Sequence, residues 1–157
     1  LGEYQQLSAD FSTPIKTKEG EDGNVVEMEI PQVVTISGIL NSGISISEYH
    51  SGIAKHENLN QIEWITDRGT LRLNAMTSLE WSESGNDFEP VQVPENQTRY
   101  WMVEADLIQA VRLASEGVSE SERPVSPDFA EGLKYMKKMA ALHLSAKEKR
   151  VVKLSEI

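Results

Sequence analysis

Trp64-Ile65-Thr66-Asp67-Arg68-Gly69-Thr70-Leu71-Arg72-Leu73 reads as strand, tight glycine turn, strand. Large apolar and β-branched residues lie on both sides of a break with turn chemistry, the local signature of a hairpin spanning residues 61 to 75. Just upstream is a second hairpin, in which Val33 to Leu40 and Ile44 to Ser51 flank Asn41-Ser42-Gly43. Gly43 supplies the positive φ that a short hairpin loop requires. If the loop pairs Leu40 with Ile44, one face carries Val34, Ile36, Gly38, Leu40, Ile44 and Ile46. The other carries Thr35, Ser37, Ser45, Ser47, Tyr49 and Ser51. An apolar face backed by a hydroxyl-rich one implies an open sheet with helices packed on one side only.

Working outward, residues 5 to 30 read as two strands, with Leu7, Ala9 and Phe11 alternating in one and Val26, Met28 and Ile30 in the other. Glu19-Gly20-Glu21-Asp22-Gly23-Asn24 joins them as a polar turn; its carboxylates lack the spacing and the closing Glu of a calcium loop. Residues 52 to 60 read as a loop, and Leu79 to Trp81 and Phe88 to Val93 as shorter strands. The period then changes to helical. Tyr100, Val103, Leu107, Ala110, Val111 and Ala114 mark one helix closed by Gly117. After a linker at 118 to 125 that ends in Pro124, the segment opening Ser126-Pro127-Asp128-Phe129 predicts a second helix. Ser126 is its expected N-cap and Pro127 its first helical residue. Phe129, Leu133, Met136, Ala140 and Leu144 form its apolar stripe, and Val151, Val152 and Leu154 a last strand. The expected fold is α+β, a mostly antiparallel open-faced sheet with helices on one face, in a single domain over residues 1–157.

Composition limits the function classes. A chain of 157 residues is large enough to bury about 70% of its unfolded surface, but its apolar fraction of 39% and mean hydropathy of −0.40 predict a modest core. No apolar run reaches the roughly 18 residues of a membrane span. The net charge of −10 argues against direct nucleic-acid binding, which needs a concentrated basic face. The one basic cluster, Lys147 to Lys153, reads as a solvated helix end suited to the macrodipole. The chain has no cysteine, so disulfides and thiolate sites are excluded and a reducing, cytoplasmic setting is expected. Asn96-Gln97-Thr98 matches a glycosylation sequon but reads more simply as a helix start capped by Thr98. Leu1-Gly2-Glu3-Tyr4 reads as a beginning in mid-domain.

Chemistry-bearing residues are sparse. Of His50, His56 and His143, the first two approach along the chain, but a zinc site needs more ligands, and His143 suits a helix C-terminal end. No serine lies in a Gly-x-Ser-x-Gly elbow. Nor does any acidic pair stand out as a general acid and base. The expectation is therefore no catalytic, metal or cofactor residues in this chain.

The order of elements, the Asn41-Ser42-Gly43 hairpin, the Trp64-to-Leu73 run and the Ser126-to-Val152 ending resemble the C-terminal domain of the Gfo/Idh/MocA family. These are nicotinamide-dependent sugar and polyol dehydrogenases with a Rossmann domain ahead of an α+β domain. The Leu1-Gly2-Glu3 opening resembles the fungal subgroup that includes the galactose/lactose regulatory repressor. The resemblance implies NAD or NADP in a preceding Rossmann domain. It also places the family's nucleotide-binding glycine turn, Glu-Lys-Pro motif and Asp-x-x-x-His pair upstream of Leu1, leaving this chain short of its first helix. Tyr49, His50 and Trp64 are then the candidate substrate or interface residues. Trp64 reads first as a core aromatic, while substrate contact and subunit contact both stand open for Tyr49 and His50. The implied roles are a substrate-side domain that forms homo-oligomers through its open sheet face and packs against its own Rossmann domain, or a repressor-like module, nuclear in that case, that binds a transcription regulator. A truncated piece without independent activity is the third reading.

Overall fold

The computed structural model describes residues 2–54, 60–74, 77–95, 103–119, 122 and 128–157. The chain divides into two compact units, one formed by Leu1–Ala54 with Val125–Ile157 and the other by Lys55–Pro124. The secondary structure is α+β, with antiparallel pairing throughout the described strands.

The first unit is built on a four-stranded sheet ordered β10-β1-β4-β5. Its strands are β1 (Tyr4–Ser12), β4 (Val33–Leu40), β5 (Ser45–Ser51) and the two-residue β10 (Val152–Lys153). Residues 5 to 30, expected as two strands, form three: β1, then a ribbon of β2 (Thr17–Glu19) and β3 (Val25–Glu27). The chain turns off the sheet at Thr13 and Pro14, and Gln32 holds the bend by bonding both the N–H and the carbonyl of Ile15 at 2.9 Å. The β4–β5 register pairs Gly38 with Ile46, Ile36 with Glu48 and Val34 with His50. Leu40 N–H bonds the Ile44 carbonyl across a turn with Gly43 at φ 85°. Thr35, Ser37, Ser45, Ser47 and Tyr49 therefore share an exposed, hydroxyl-rich face. The opposite face carries Ile36 and Leu40, both buried, but also Glu48 and His50, which follow from the same alternation.

Helix α2 (Phe129–Glu148) covers that second face. Leu7, Ala9, Ile36, Ala141, Leu142 and Val152 make the core, with Phe11, Val34, Met139 and Leu144 packed around it. The expected stripe is displaced from the packing face. Phe129 is 99% exposed, Met136 63% and Leu133 59%, whereas Ala141, Leu142 and Ser145 are buried. The small residues win this face because they bring the helix backbone close enough for a side chain to reach the sheet. The Ser145 hydroxyl accepts from Ala9 N–H at 2.9 Å and donates to the Arg150 carbonyl at 2.6 Å. β10 pairs only with Gln6 and Leu7 of β1, so beyond it the Ala9 N–H meets a helix side chain in place of a strand.

The start of α2 also differs from expectation. Asp128 is the N-cap, its carboxylate accepting from Glu131 N–H at 2.8 Å. Asp suits an N-cap as well as Ser does, and its charge also suits the positive end of the dipole; Ser126 and Pro127 lie outside the described residues. At the far end the basic cluster is more than a solvated helix end. Lys149 takes the left-handed conformation at φ 55° and closes the helix, and Val152 then runs into the core as β10. Leu154, expected in that strand, opens a short 3₁₀ turn, Leu154–Glu156.

The second unit contains a sheet ordered β6-β7-β8-β9, from β6 (Gln61–Ile65), β7 (Gly69–Asn74), β8 (Ser78–Glu83) and β9 (Glu89–Pro90). The hairpin at Asp67 and Arg68 forms, but Gly69 is not its positive-φ residue. It is the first residue of β7, and a Cβ there would lie 2.2 Å from the Ser82 carbonyl oxygen and 2.7 Å from the Trp81 ring. Close approach by a neighbouring strand, not turn geometry, requires this glycine. Thr66 makes the turn, its hydroxyl accepting from the N–H groups of Arg68 and Gly69, both at 3.2 Å. Helix α1 (Val103–Ser115) ends in a Schellman motif: Gly117, at φ 80°, bonds the Ala114 carbonyl and Val118 bonds that of Leu113. Of the stripe expected on it, only Ala110 is buried, while Val103, Leu107 and Val111 are exposed. A single small residue is all that its packing face hides. Tyr100 lies outside the described residues.

Replacing Ser145 with Ala should cost about 1–3 kcal/mol, the range for stranding a buried donor. Faster hydrogen exchange at the Ala9 amide should accompany the loss. Gly69→Ala should destabilise by a similar ~1–3 kcal/mol through overpacking, read as a lower denaturant midpoint. A neutral result for either variant would contradict the corresponding contact.

Candidate functional site

Of the residues singled out from the sequence, Tyr49 and His50 lie in the first unit and Trp64 in the second. Tyr49 and His50 are successive on β5 and so project to opposite faces. Tyr49 stands 69% exposed on the hydroxyl-rich face, and His50 turns to the helix side, where its Nε2 lies 3.0 Å from Glu48 Oε2. Trp64 belongs to the second unit. There it shares a cross-strand row with Leu71 and Trp81 and is partly buried. His56 lies outside the described residues, and His143 packs edge-on against the Phe11 ring, centroids 5.2 Å apart.

A polar cluster absent from the sequence reading forms where α2 crosses β5. Its centre is Glu48. The Tyr4 hydroxyl and Lys138 Nζ, the latter at 3.1 Å, both donate to Oε1, while His50 donates to Oε2. Lys138 also sits over the Tyr4 ring, 4.7 Å from its centroid, a placement that favours a cation. Tyr4 reaches this position by two local devices. A bulge between Tyr4 and Gln6 breaks the β1–β4 register and turns the phenol to the helix side. Gly38 leaves room for the ring, since a Cβ there would lie 2.5 Å from Tyr4. A glycine inside a strand is the one sequence signal that a neighbour approaches closely.

Burial pushes the Glu48 carboxyl up, but the bonds from Tyr4, His50 and Lys138 together bring it below its ordinary value. The Tyr4 phenol moves the other way, raised by burial and by its bond to the carboxylate. The cluster is thus a fixed anion held by neutral and cationic donors, a positioning device more than a proton-transfer pair.

Two cavities flank the sheet of the first unit. One, of about 590 Å³, runs beside α2 and is lined by Gly2, Glu3, Tyr4, Lys134, Tyr135 and Lys138 among others. Lys134 is engaged there with Glu131 at 2.7 Å and Glu3 at 3.0 Å, and these bonds raise its ammonium. The other, of about 340 Å³, lies on the hydroxyl-rich face among Ser8, Asp10, Thr35 and Ser37, with Lys149 paired to Asp10. In the second unit Arg72 lies between Glu63 at 2.8 Å and Glu80 at 3.8 Å. Its guanidinium stacks 3.5 Å from the Phe88 ring centre. Among the described residues no three His, Cys, Asp or Glu side chains gather as a metal site. Their positive-φ glycines lie outside helix starts, and Gly117 closes one, so none builds a phosphate-binding turn of the strand-to-helix kind. No described helix is long and apolar enough to cross a membrane.

The opposed shifts of Glu48 and Tyr4 fix the sign of a pH dependence. A carboxyl lowered in the folded state stabilises above its unfolded value of ~4.3, and that contribution is lost as the pH falls through the folded value. A phenol raised in the folded state stabilises below about 10 and loses its contribution on further alkalinisation. Glu48→Gln should therefore flatten the acid limb of the melting temperature against pH, and Tyr4→Phe the alkaline limb. Limbs unchanged in both variants would show that the cluster is not coupled to folding.

No family model matches the sequence, and no curated protein does. Solved structures do match in fold. Levoglucosan dehydrogenase, in complex with NADH and levoglucosan, is 18% identical with a TM-score of 0.73, over 98% of this chain and 45% of that one. An NAD binding oxidoreductase from Klebsiella pneumoniae is 17% identical at 0.73, over 97% and 46%. A super-repressor mutant of Gal80p from Saccharomyces cerevisiae is 14% identical at 0.72, over 98% and 45%. The chain thus spans less than half the length of each of these proteins. Its α+β architecture is the fold of the C-terminal part of Gfo/Idh/MocA-type oxidoreductases and of Gal80p.

Proposed function

We propose that this chain is the substrate-side and assembly part of an NAD(P)-dependent sugar or polyol oxidoreductase-like protein, and that it performs no catalysis alone. The observation that supports the reading is the overlay of nearly the whole chain on less than half of levoglucosan dehydrogenase, while none of its own described glycines forms a nucleotide turn. NAD or NADP binding and hydride transfer then belong to a Rossmann domain outside this sequence. The hydroxyl-rich face suits association. It presents Thr35, Ser37, Ser45 and Ser47 as exposed side chains, and Tyr49 stands among them as the large exposed one. A second copy is the partner we assign to this face. Tyr49 serves that contact, His50 orients Glu48, and Trp64 is the aromatic surface offered to a sugar. The setting is cytoplasmic.

A second reading takes the chain as part of a catalytically idle, repressor-like protein that binds a transcription regulator. Its support is the overlay on Gal80p together with the lysines of α2. Lys134 and Lys138 are held by carboxylates, and Lys137 makes no ion pair among the described residues.

Three measurements separate these readings. Ser37→Arg with Ser47→Arg should lower self-association in sedimentation equilibrium, and this chain should leave NADH fluorescence unchanged. Saturable NADH binding would place cofactor chemistry here and defeat the first reading. Retention of an acidic activator peptide, lost on Lys134→Glu with Lys137→Glu, would support the second.

A further inference from the structure

Lys149 is the one described residue other than glycine that takes a positive φ, at 55°. Its N–H bonds the Ser145 carbonyl at 2.8 Å and closes α2, a position that glycine fills without the crowding a Cβ brings there. What the side chain gains in return is small. Its ammonium pairs with Asp10, and the two side chains are 66% and 62% exposed. An ion pair so open to water contributes little to stability. A backbone held in a sparsely populated region without a matching gain in the fold points to a role for the side chain it carries.

Lys149 lines the cavity of about 340 Å³ that opens where β10 stops pairing with β1. Ser8, Asp10, Thr35 and Ser37 line it from the open face of the sheet, and Arg150 and Val151 from the chain that follows α2. Ser8 stands opposite Ser37, and Asp10 opposite Thr35, so three hydroxyls and a carboxylate form two cross-strand pairs on a strand spacing of about 4.8 Å. Among the described residues none of these three hydroxyls has a hydrogen-bond partner, although Ser8 is half-buried.

Donors and acceptors identify the class of ligand. The carboxylate of Asp10 accepts only, the ammonium of Lys149 donates only, and each hydroxyl does both. Such a set suits a molecule whose own groups donate and accept alike, as hydroxyls do. Charge argues against an anion. Asp10 offsets Lys149, and Arg150 is held by Glu148 at 2.6 Å and Glu156 at 2.9 Å. Each cation lining the cavity is therefore already offset, and a phosphate would also face Asp10. Hydroxyls on alternate ring carbons of a sugar lie about as far apart as neighbouring strands, so a single ring can span a cross-strand pair. Val151, 52% exposed, offers apolar surface to the ring C–H groups. The volume is at the small end of ligand sites, which run from about 300 to 1,000 Å³, and has room for one such ring.

We propose that this cavity binds a neutral polyhydroxylated ligand, a monosaccharide or a cyclic polyol, with Asp10 and Lys149 bonding its hydroxyls and Ser8, Thr35 and Ser37 completing the set. The site belongs to the first unit, whereas Trp64 belongs to the second, so it goes beyond the sugar contact assigned above. It needs neither a cofactor nor a second copy. Each bond to the ligand replaces one to water, so the binding is weak.

The test is an amide chemical-shift titration of the chain with glucose, with myo-inositol and, as the anionic control, with inorganic phosphate. At least one neutral probe should give saturable shifts centred on Ser8, Asp10, Ser37, Lys149 and Val151, and phosphate should give none there. Lys149→Gly should weaken binding of that probe roughly tenfold or more, the loss of a hydrogen bond to a charged group. The same variant should melt no lower than the unchanged chain, because glycine relieves the backbone. Asp10→Asn should weaken binding in the same way. Absence of saturable shifts with both neutral probes would overturn the proposal, as would phosphate shifting the same amides at comparable concentration. Undiminished binding by Lys149→Gly would overturn it too. So would weaker binding by a Lys149→Gly chain that also melts lower, since the lysine would then serve the fold. Self-association of the sheet face is read separately, by the Ser37 and Ser47 variants, and stands or falls on its own.

Discussion

The Ser145 hydroxyl, 1% exposed, is the contact on which the first unit turns. β1 lies between β4, which pairs with it along most of its length, and β10, which pairs at two residues. Beyond those two pairs the inner strand would present a bare N–H to an apolar layer, a cost comparable to a lost hydrogen bond. Ser145 removes that cost by accepting from Ala9, and its own proton goes to Arg150, the residue where the chain turns from α2 toward β10. One oxygen thereby sets the distance from helix to sheet and the path back into the sheet. Ala141, one turn earlier and fully buried, belongs to the same constraint, since a larger side chain there would lift the helix away.

The glycines inside strands follow a related logic. Gly38 and Gly69 are held by what lies above them: the Tyr4 ring in one case, Trp81 and the β8 backbone in the other. Each lacks a side chain where an aromatic ring comes close to the strand. At Gly38 the gain goes beyond packing, because the ring carries a hydroxyl to Glu48, and Glu48 in turn holds Lys138 of α2. The Tyr4–Glu48–Lys138 chain thus joins β1, β5 and the helix at the end of the unit away from Ser145. The helix is tied at two places, and its packed half runs between them.

Much of this was legible in the sequence, and the parts that were not have physical causes. Alternation fixed the two faces of the β4–β5 hairpin, because a period of two leaves no freedom once Gly43 sets the turn. Gly117 marked the end of α1 for a comparable reason, since few residues other than glycine accept its φ. The α2 stripe was a true periodic signal, but of its large side chains only Leu144 packs on the core, while Phe129, Leu133 and Met136 are exposed. Apolar spacing shows that a helix has a face, not which surface the face meets. Asp128 displaced Ser126 as cap because both residue types suit the position and only the backbone path decides between them. The Glu48 cluster was out of reach altogether, for it joins residues 4, 48, 50 and 138 through a bulge that periodicity cannot anticipate. Tyr49 and His50 shared the sequence reading as neighbours, yet alternation in β5 separates them onto opposite faces.

The proportions of core and surface bear on how the parts act together. The first unit rests on a few fully buried apolar side chains, Leu7, Leu40 and Val152 being the largest, whereas Val25, Val26, Ile30, Phe129, Leu133 and Met136 remain exposed. Apolar atoms are ordinary on protein surfaces, so scattered examples carry no message. Phe129, Leu133 and Met136 share one exposed face of α2, and the same transfer free energy that built the small core is still available there, at about 25 cal/mol for each Å² removed from water. Domains are stable by only ~5–15 kcal/mol. A contact that covers this face therefore adds an increment that is not small against the total, and by mass action association and folding become linked. In a unit with this balance of core to open surface, the faces left uncovered belong to the stability of the fold as much as to its function.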